Sequence, residues 1–311
     1  MRYRIELWVV QIVRACVRVM PMSAVRVCGG ALGRAVYVAD VFHRRIALAN
    51  LASAFPMRSA AERRAIARTM FAHFGRVLLE LMKFGTLSEE QMLACSEIDG
   101  EDRVRQAFQQ GRGVLFFTGH FGYWEMHAIA HPLRLGGHGL AVLARPLDNP
   151  YLHETLERIR TRTGNTVIYR QRAIRKVMRE LAANRSVALL IDQHLHSADA
   201  VYVDFFDRPA ATTSALAALA LRTGAPVIPV FALPLPGGRY RFVYERPVPP
   251  PKEASPDAVR EFTQRCTDVL EMYVRRDPAL WLWMHRRWRD RDPRLAGEAA
   301  GRDDAVTAAT E

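Results

Sequence analysis

The chain has 311 residues, 50% of them hydrophobic, and carries 44 Lys+Arg against 32 Asp+Glu, a formal charge of +12. That size supports one sizeable core or two modest ones, and the charge predicts acidic partners: nucleic acid, anionic lipid or an acidic carrier protein. Cys16, Cys28, Cys95 and Cys266 are scattered with no C-x-x-C pair, which excludes a disulfide framework and a cysteine zinc site and fits a reducing, cytosolic environment.

The N-terminus, "MRYRIELWVVQIVRACVRVMPM", is apolar but contains no uncharged span of about 20 residues, as a membrane crossing needs. No small-residue cleavage site follows, so a secretory signal is not expected. At helical spacing, Arg4, Gln11, Arg14 and Arg18 share a narrow stripe, and Leu7, Trp8, Val10, Ile12, Val13, Val17 and Met20 fill much of the rest. This predicts a helix lying in a membrane interface, with a core-packing helix as the alternative. A second helix is expected over 23–45, closing on His43, Arg44 and Arg45. "RRIALANLASAF" continues at helical spacing up to Pro56. Ser59 with Glu62 forms a capping box, which opens a long amphipathic helix.

The pattern changes after Gly111. Short apolar runs at 113–117, 140–146, 165–170, 186–192, 225–233 and 239–247 read as strands. Helical stretches at 123–135, 150–163, 172–184 and 212–223 alternate with them. The fold class is therefore α/β, with a mixed, largely parallel central sheet flanked by helices. "PVPPPKEASPD" (247–257) is a linker or turn, and a helix follows over about 256–276. Trp281, Trp283 and Trp288 in "LWLWMHRRW" sit either at lipid headgroup level or inside the core. The expected organisation is 1–45 as membrane-associating helices, 46–294 as the α/β domain with a helical lead-in over 46–100, and 295–311 as a disordered tail.

In "FFTGHFGYWE" (116–125) a buried strand ends on His120. In open α/β sheets functional residues gather at the carboxyl ends of strands. Glu125 falls in the first turn of the next helix, within reach of the imidazole. A carboxylate on one ring nitrogen would fix the tautomer and leave the other nitrogen as a base. The alternatives are a polar residue satisfied at a strand end, or a metal held by His127 and His131 with His120, His194 or His196. The H-E-x-x-H order is missing, and so are a G-x-S-x-G elbow, a P-loop and a dinucleotide fingerprint.

His120 and Glu125 resemble the H-x4-D/E motif of the glycerolipid acyltransferase superfamily. More closely, the chain resembles the lipid A biosynthesis (lauroyl/myristoyl) acyltransferase family, from about residue 20 to 293. The matching segments, in order, are "RRIALANLASAFP", "GVLFFTGHFGYWE", "ARPLDNP", "LLIDQH", "FFDRPAATT", "GAPVIPV" and "LWLWMHRRW". The resemblance implies transfer of a fatty acyl chain from acyl carrier protein to a hydroxyl of a lipid A precursor, at the cytoplasmic face of a bacterial inner membrane. It implies no metal and no cofactor. It makes His120 the general base and Glu125 its partner, Arg145 a group for phosphate or the oxyanion, and Asp192, Gln193, Arg208 and Thr212 substrate-groove residues. The family more often has glycine where Asp207 stands, and Ser214 and His194 also depart from its pattern, so the acceptor is left open. A related branch acts on mannosyl phosphoinositides. A non-catalytic lipid- or carrier-binding protein is the alternative of another class. Nucleic-acid binding is not expected, because the aromatics sit in apolar helical runs.

Overall fold

A computed structural model describes residues 1–169, 173–195 and 200–289. Arg170 and Arg172 at the ends of two expected elements, His196, and the tail expected to be disordered over 295–311 lie outside the described residues.

Four helices come first: α1 (Arg2–Val19), α2 (Met22–Ala39), α3 (Val41–Ala54) and α4 (Ala60–Phe84). Pro21 forces Met20 into an extended conformation (φ −73°, ψ 144°), which separates α1 from α2. The second helix ends at Ala39 instead of continuing to residue 45. The Asp40 side chain accepts from His43 N (3.0 Å) and starts α3, so Arg44 and Arg45 belong to the third helix. At α4 the capping box forms as expected: Ser59 Oγ accepts from Glu62 N, and the Glu62 carboxylate accepts from Ser59 N at 2.7 Å.

Among the described residues no helix is long and apolar enough to cross a membrane. The outer faces of the first three helices are nonetheless apolar. Ile5, Trp8, Val9, Ile12 and Val19 on α1 are exposed, as are Val27 and Val38 on α2 and Val41 and Phe42 on α3.

The remainder is the α/β body. Its elements are α5 (Glu89–Ala94), β1 (Ser96–Asp99), α6 (Glu101–Phe108), β2 (Val114–Thr118), α7 (Trp124–Arg134), β3 (Leu140–Leu143), α8 (Pro150–Thr161), β4 (Thr166–Ile168), α9 (Ala173–Ala182) and β5 (Ser186–Leu190). Then come β6 (Ala200–Asp204), β7 (Pro209–Thr213), α10 (Ala215–Thr223), β8 (Val227–Leu235), β9 (Arg239–Tyr244) and α11 (Pro256–Arg276). Seven strands form one sheet in the order β1-β9-β8-β2-β5-β3-β4, parallel except for the β8–β9 pair. β2 is central and buried on both faces. Leu115 and Phe117 join one core, while Val114 and Phe116 join the other.

α5 falls in the helical lead-in expected over 46–100, but β1, at the end of that lead-in, and α6 and the β6–β7 hairpin are absent from the sequence reading. Thr212, expected at a helix start, lies in β7. The hairpin turns through Phe206 and Asp207 at φ +55° and +57°, so the left-handed residues that normally advertise a tight turn are not glycines. The glycine the family resemblance leads one to expect at position 207 would fit that backbone.

Candidate active site

His120 stands two residues past the end of β2, and Asp192 two residues past the end of β5. The strands are parallel neighbours with Thr118 opposite Leu190, so both side chains emerge together at the carboxyl edge of the sheet. Asp192 Oδ1 lies 2.8 Å from His120 Nδ1, and Oδ2 accepts from the His120 backbone N–H at 2.7 Å. A third donor, Trp281 Nε1, reaches Oδ2 at 2.8 Å. An ionised carboxylate can only accept, so His120 carries a proton on Nδ1 and presents Nε2 outward. The Gln193 amide nitrogen is 3.4 Å from Nε2, and the Trp124 ring meets the imidazole edge-on.

The turn is built for this approach. A Cβ on Gly119 would fall 2.9 Å from Asp192 Oδ2, and one on Gly122 (φ +60°) would fall 2.0 Å from Ala232 O. The segment after α11 folds back over the turn: Gly122 N donates to Leu280 O, and Leu282 N to His120 O. Asn50 on α3 holds that segment through the carbonyls of Trp283 and His285. Trp281 and Trp283 are fully buried, which settles their place inside the core rather than at a headgroup layer. Trp288 is half-buried, near-parallel to Phe205, with the exposed Arg208 over its ring.

Glu125 does not make the bond to His120 that the sequence suggested. It lies in the first turn of α7 as expected, but Arg160 of α8 takes both its oxygens, one at 2.9 Å to Nε and one to Nη2. A guanidinium fork matches a carboxylate bidentately, and in this nearly closed site that pairing outcompetes a single bond to a neutral ring. Glu125 still acts on His120 by charge.

Burial favours the neutral imidazole, but the charge and hydrogen bond of Asp192, with a smaller push from Glu125, outweigh it and raise the His120 pKa above 6.5. Burial likewise favours neutral Asp192. The charge and hydrogen bond of His120, and then the charge of His285, reverse this and hold the carboxyl well below its usual range. The signs follow from linkage. The raised histidine stabilises fully below its unfolded value near 6.5, and that contribution is lost as pH rises through the folded value. The depressed aspartate stabilises above its unfolded value near 3.8, and that is lost as pH falls through the folded value. The Tm difference between wild type and Asp192→Asn is therefore expected to be largest between about pH 4 and 6.5. A difference that is flat from pH 4 to 9 would mean the pair carries no linked charge.

The other expected site residues are placed less closely. Arg145 follows β3 at the same sheet edge, but its side chain is 83% exposed, with Asp148 3.9 Å away. Thr212 is buried and accepts from Arg287, which also donates to Ala211 O at 2.7 Å. Burial lowers Arg287 to about 10, against the pull of Asp192. Thr212 thus tethers the C-terminal segment rather than lining an open groove. His127 and His131, spaced for a metal, lie buried in the core with the Tyr244 hydroxyl 2.8 Å from each. Asp192 was expected as a substrate contact and not as the partner of His120. Arg160, Trp281 and Arg287 were not foreseen. The "LLIDQH" segment points to Asp192 as a site residue, but its pairing with His120 follows only from the strand register.

A family model described as bacterial lipid A biosynthesis acyltransferase matches residues 1–290. Among curated proteins the chain is 26% identical over 257 residues to the lipid A biosynthesis lauroyltransferase of Escherichia coli (strain K12), covering 81% of this chain and 79% of that one. It is 24% identical to the same organism's lipid A biosynthesis myristoyltransferase, over 80% of this chain and 76% of the relative. A lipid A biosynthesis acyltransferase of Haemophilus influenzae is also 24% identical, over 78% and 74%.

Proposed function

This chain belongs to the bacterial lipid A biosynthesis acyltransferase family, and from that premise we propose that it moves a fatty acyl chain from acyl carrier protein to a hydroxyl of a lipid A precursor at the cytoplasmic face of the inner membrane. What supports the chemistry is His120, held through Nδ1 by Asp192 with Nε2 turned outward at 18% side-chain exposure. In this reading Nε2 removes the acceptor hydroxyl proton as the oxygen attacks the thioester carbonyl. The C–S bond then breaks, and the leaving thiolate takes the proton back from the imidazolium. Asp192 steadies that imidazolium, and Glu125, through its charge, makes the base stronger. Gln193, whose amide nitrogen lies 3.4 Å from Nε2, is placed to donate to the tetrahedral oxygen. Arg145 is 83% exposed, and the ion pair it makes among the described residues, with Asp148 at 3.9 Å, is long and solvated, so its side chain can swing toward a phosphate of the acceptor.

The membrane placement draws on the unpartnered apolar faces of α1 to α3, with Trp8 68% and Ile12 61% exposed. The charge of +12 suits an acidic carrier protein and an anionic surface alike.

The test is acyl transfer from a panel of acyl carrier protein thioesters to a tetraacylated lipid A precursor, in membranes holding wild type or His120→Ala. Transfer by wild type alone is the expected result, with an acid limb whose midpoint lies above 6.5 because the base must be neutral. Equal transfer by both proteins would remove His120 from the chemistry. Transfer by neither, at normal protein levels, would send the search to another acceptor, with mannosyl phosphoinositide the next to try.

A further inference from the structure

The polar stripe of α1 runs along its flank, with Gln11 and Arg14 half-buried against the body and Arg4 and Arg18 exposed. Gln11, Arg14 and Arg18, with Ala15, line an open cavity of about 360 Å³ bounded on the other side by Gly85 and Thr86, just past the end of α4. Among the described residues no carboxylate lines it. Arg14 Nε is buried without a hydrogen-bond partner, and Arg14 Nη1 makes only a long contact, 3.4 Å, to Gln11. Burial, and then the charge of Arg158 on α8, hold Arg14 below its ordinary pKa. Lys83 and Arg162 approach the same corner, but they spend their hydrogen bonds on the carbonyls of Arg18 and Gly85. Like charges gathered with no carboxylate among the described lining residues raise the energy of the free protein, and an oxyanion with several lone pairs would lower it.

α1 is fixed to the body while this cavity stays open. Asn149, which caps α8, donates to Tyr3 O at 3.0 Å and to Glu6 Oε2 at 2.9 Å. About a quarter-turn round the helix from the polar stripe lie the exposed Ile5, Trp8, Ile12 and Val19. A helix is about 10 Å across, and an interfacial helix sinks about 5–10 Å into the headgroup boundary. A cavity on the flank of a helix so placed would come level with lipid phosphates.

We propose that Arg14 and Arg18 form a phosphate-binding site for a membrane lipid, separate from the His120 centre, with the lipid phosphate seated between α1 and the end of α4. The site rests on the membrane placement proposed above, and its recognition chemistry is that of a phosphomonoester or phosphodiester oxyanion.

The full-length chain in neutral detergent is titrated calorimetrically with a short-chain, water-soluble phosphatidate, and separately with inorganic phosphate. Wild type binds the phosphatidate saturably, and about tenfold or more tighter than inorganic phosphate. Arg14→Gln/Arg18→Gln weakens binding roughly tenfold or more, because charge-assisted bonds are lost. Ala15→Glu, which keeps both arginines and adds a competing carboxylate, does the same. Arg64→Gln/Arg260→Gln, with equal charge removed from exposed positions, leaves binding unchanged. No saturable binding by wild type, or equal binding by the Arg14/Arg18 and Ala15 variants, overturns the site. Equal affinity for inorganic phosphate overturns the lipid as its ligand. Flotation of wild type on neutral vesicles reports the membrane placement by itself. A chain that binds phosphatidate without floating keeps the site and loses the placement, and a chain that floats without binding does the reverse.

Discussion

His120→Ala is expected to slow acyl transfer by about 10²- to 10⁴-fold, and Asp192→Asn to fall close behind it, whereas Glu125→Gln costs clearly less. The ranking follows from where the hydrogen bonds go. Asp192 accepts from His120 Nδ1, the His120 N–H and Trp281, so an amide there both removes the charge and turns one acceptor into a donor. The ring then loses the contact that fixes its tautomer, and Nε2 is no longer always the bare nitrogen. Asparagine keeps the volume, so the loss reflects proton chemistry rather than a cavity. Glu125→Gln leaves His120 and Asp192 bonded and weakens mainly the long-range charge on the ring. A positioning role also has a signature that a structural role lacks: the midpoint of the acid limb should fall in Asp192→Asn, because the carboxylate is what raises the imidazole. Near-normal transfer by Asp192→Asn, with Glu125→Gln as slow as His120→Ala, would mean that Glu125 leaves Arg160 and takes the ring in the working complex.

That competition between two carboxylates marks how far the sequence was legible. The end of β2 and the histidine beyond it could be read directly, because a glycine-bounded apolar run has few other interpretations. Glu125 could be placed in the first turn of α7 for the same local reason. Its partner could not, since Arg160 is 35 residues away and meets it only through helix packing. Asp192 is 72 residues from His120, and their pairing depends on the parallel register of β2 and β5, which no local pattern encodes. The β6–β7 hairpin was hidden because its turn uses Phe206 and Asp207 where Asn-Gly would have announced it. The polar stripe of α1 was visible, but not which way it faced. An amphipathic pattern is the same whether water or protein meets the polar side, and here Gln11 and Arg14 turn toward the body while Arg4 and Arg18 stay exposed.

The other large effect lies in the seam between α2 and α4, and two alanines three residues apart should act with opposite signs. A Cβ on Gly33 would lie 2.0 Å from Phe71 O and 2.7 Å from Ala72 Cα, both backbone atoms of a helix that cannot yield locally. Across the same seam a Cβ on Gly75 would lie 2.2 Å from Gly29 O. Gly33→Ala must therefore push the helices apart, at a cost of about 3 kcal/mol or more. Gly30 faces the guanidinium groups of Arg76, at 3.2 Å, and Arg34, at 3.6 Å, both of which can move aside. Gly30→Ala then gains helix propensity of up to about 1 kcal/mol. Thermal unfolding in detergent should show the first variant well below wild type and the second at or above it. Equal melting of the two variants would mean the backbones do not approach this closely. The seam bears on the site because α4 also supplies His73, 3.2 Å from Gly122 O, and the buried Glu80, which accepts from Tyr123 and Tyr240. The buried residues of α2 are Val25, Gly29, Gly30 and Gly33, so close backbone packing at Gly29-x-x-x-Gly33 carries the attachment of α2 to α4. Gly33→Ala should consequently lower transfer along with stability, while Gly30→Ala leaves transfer intact.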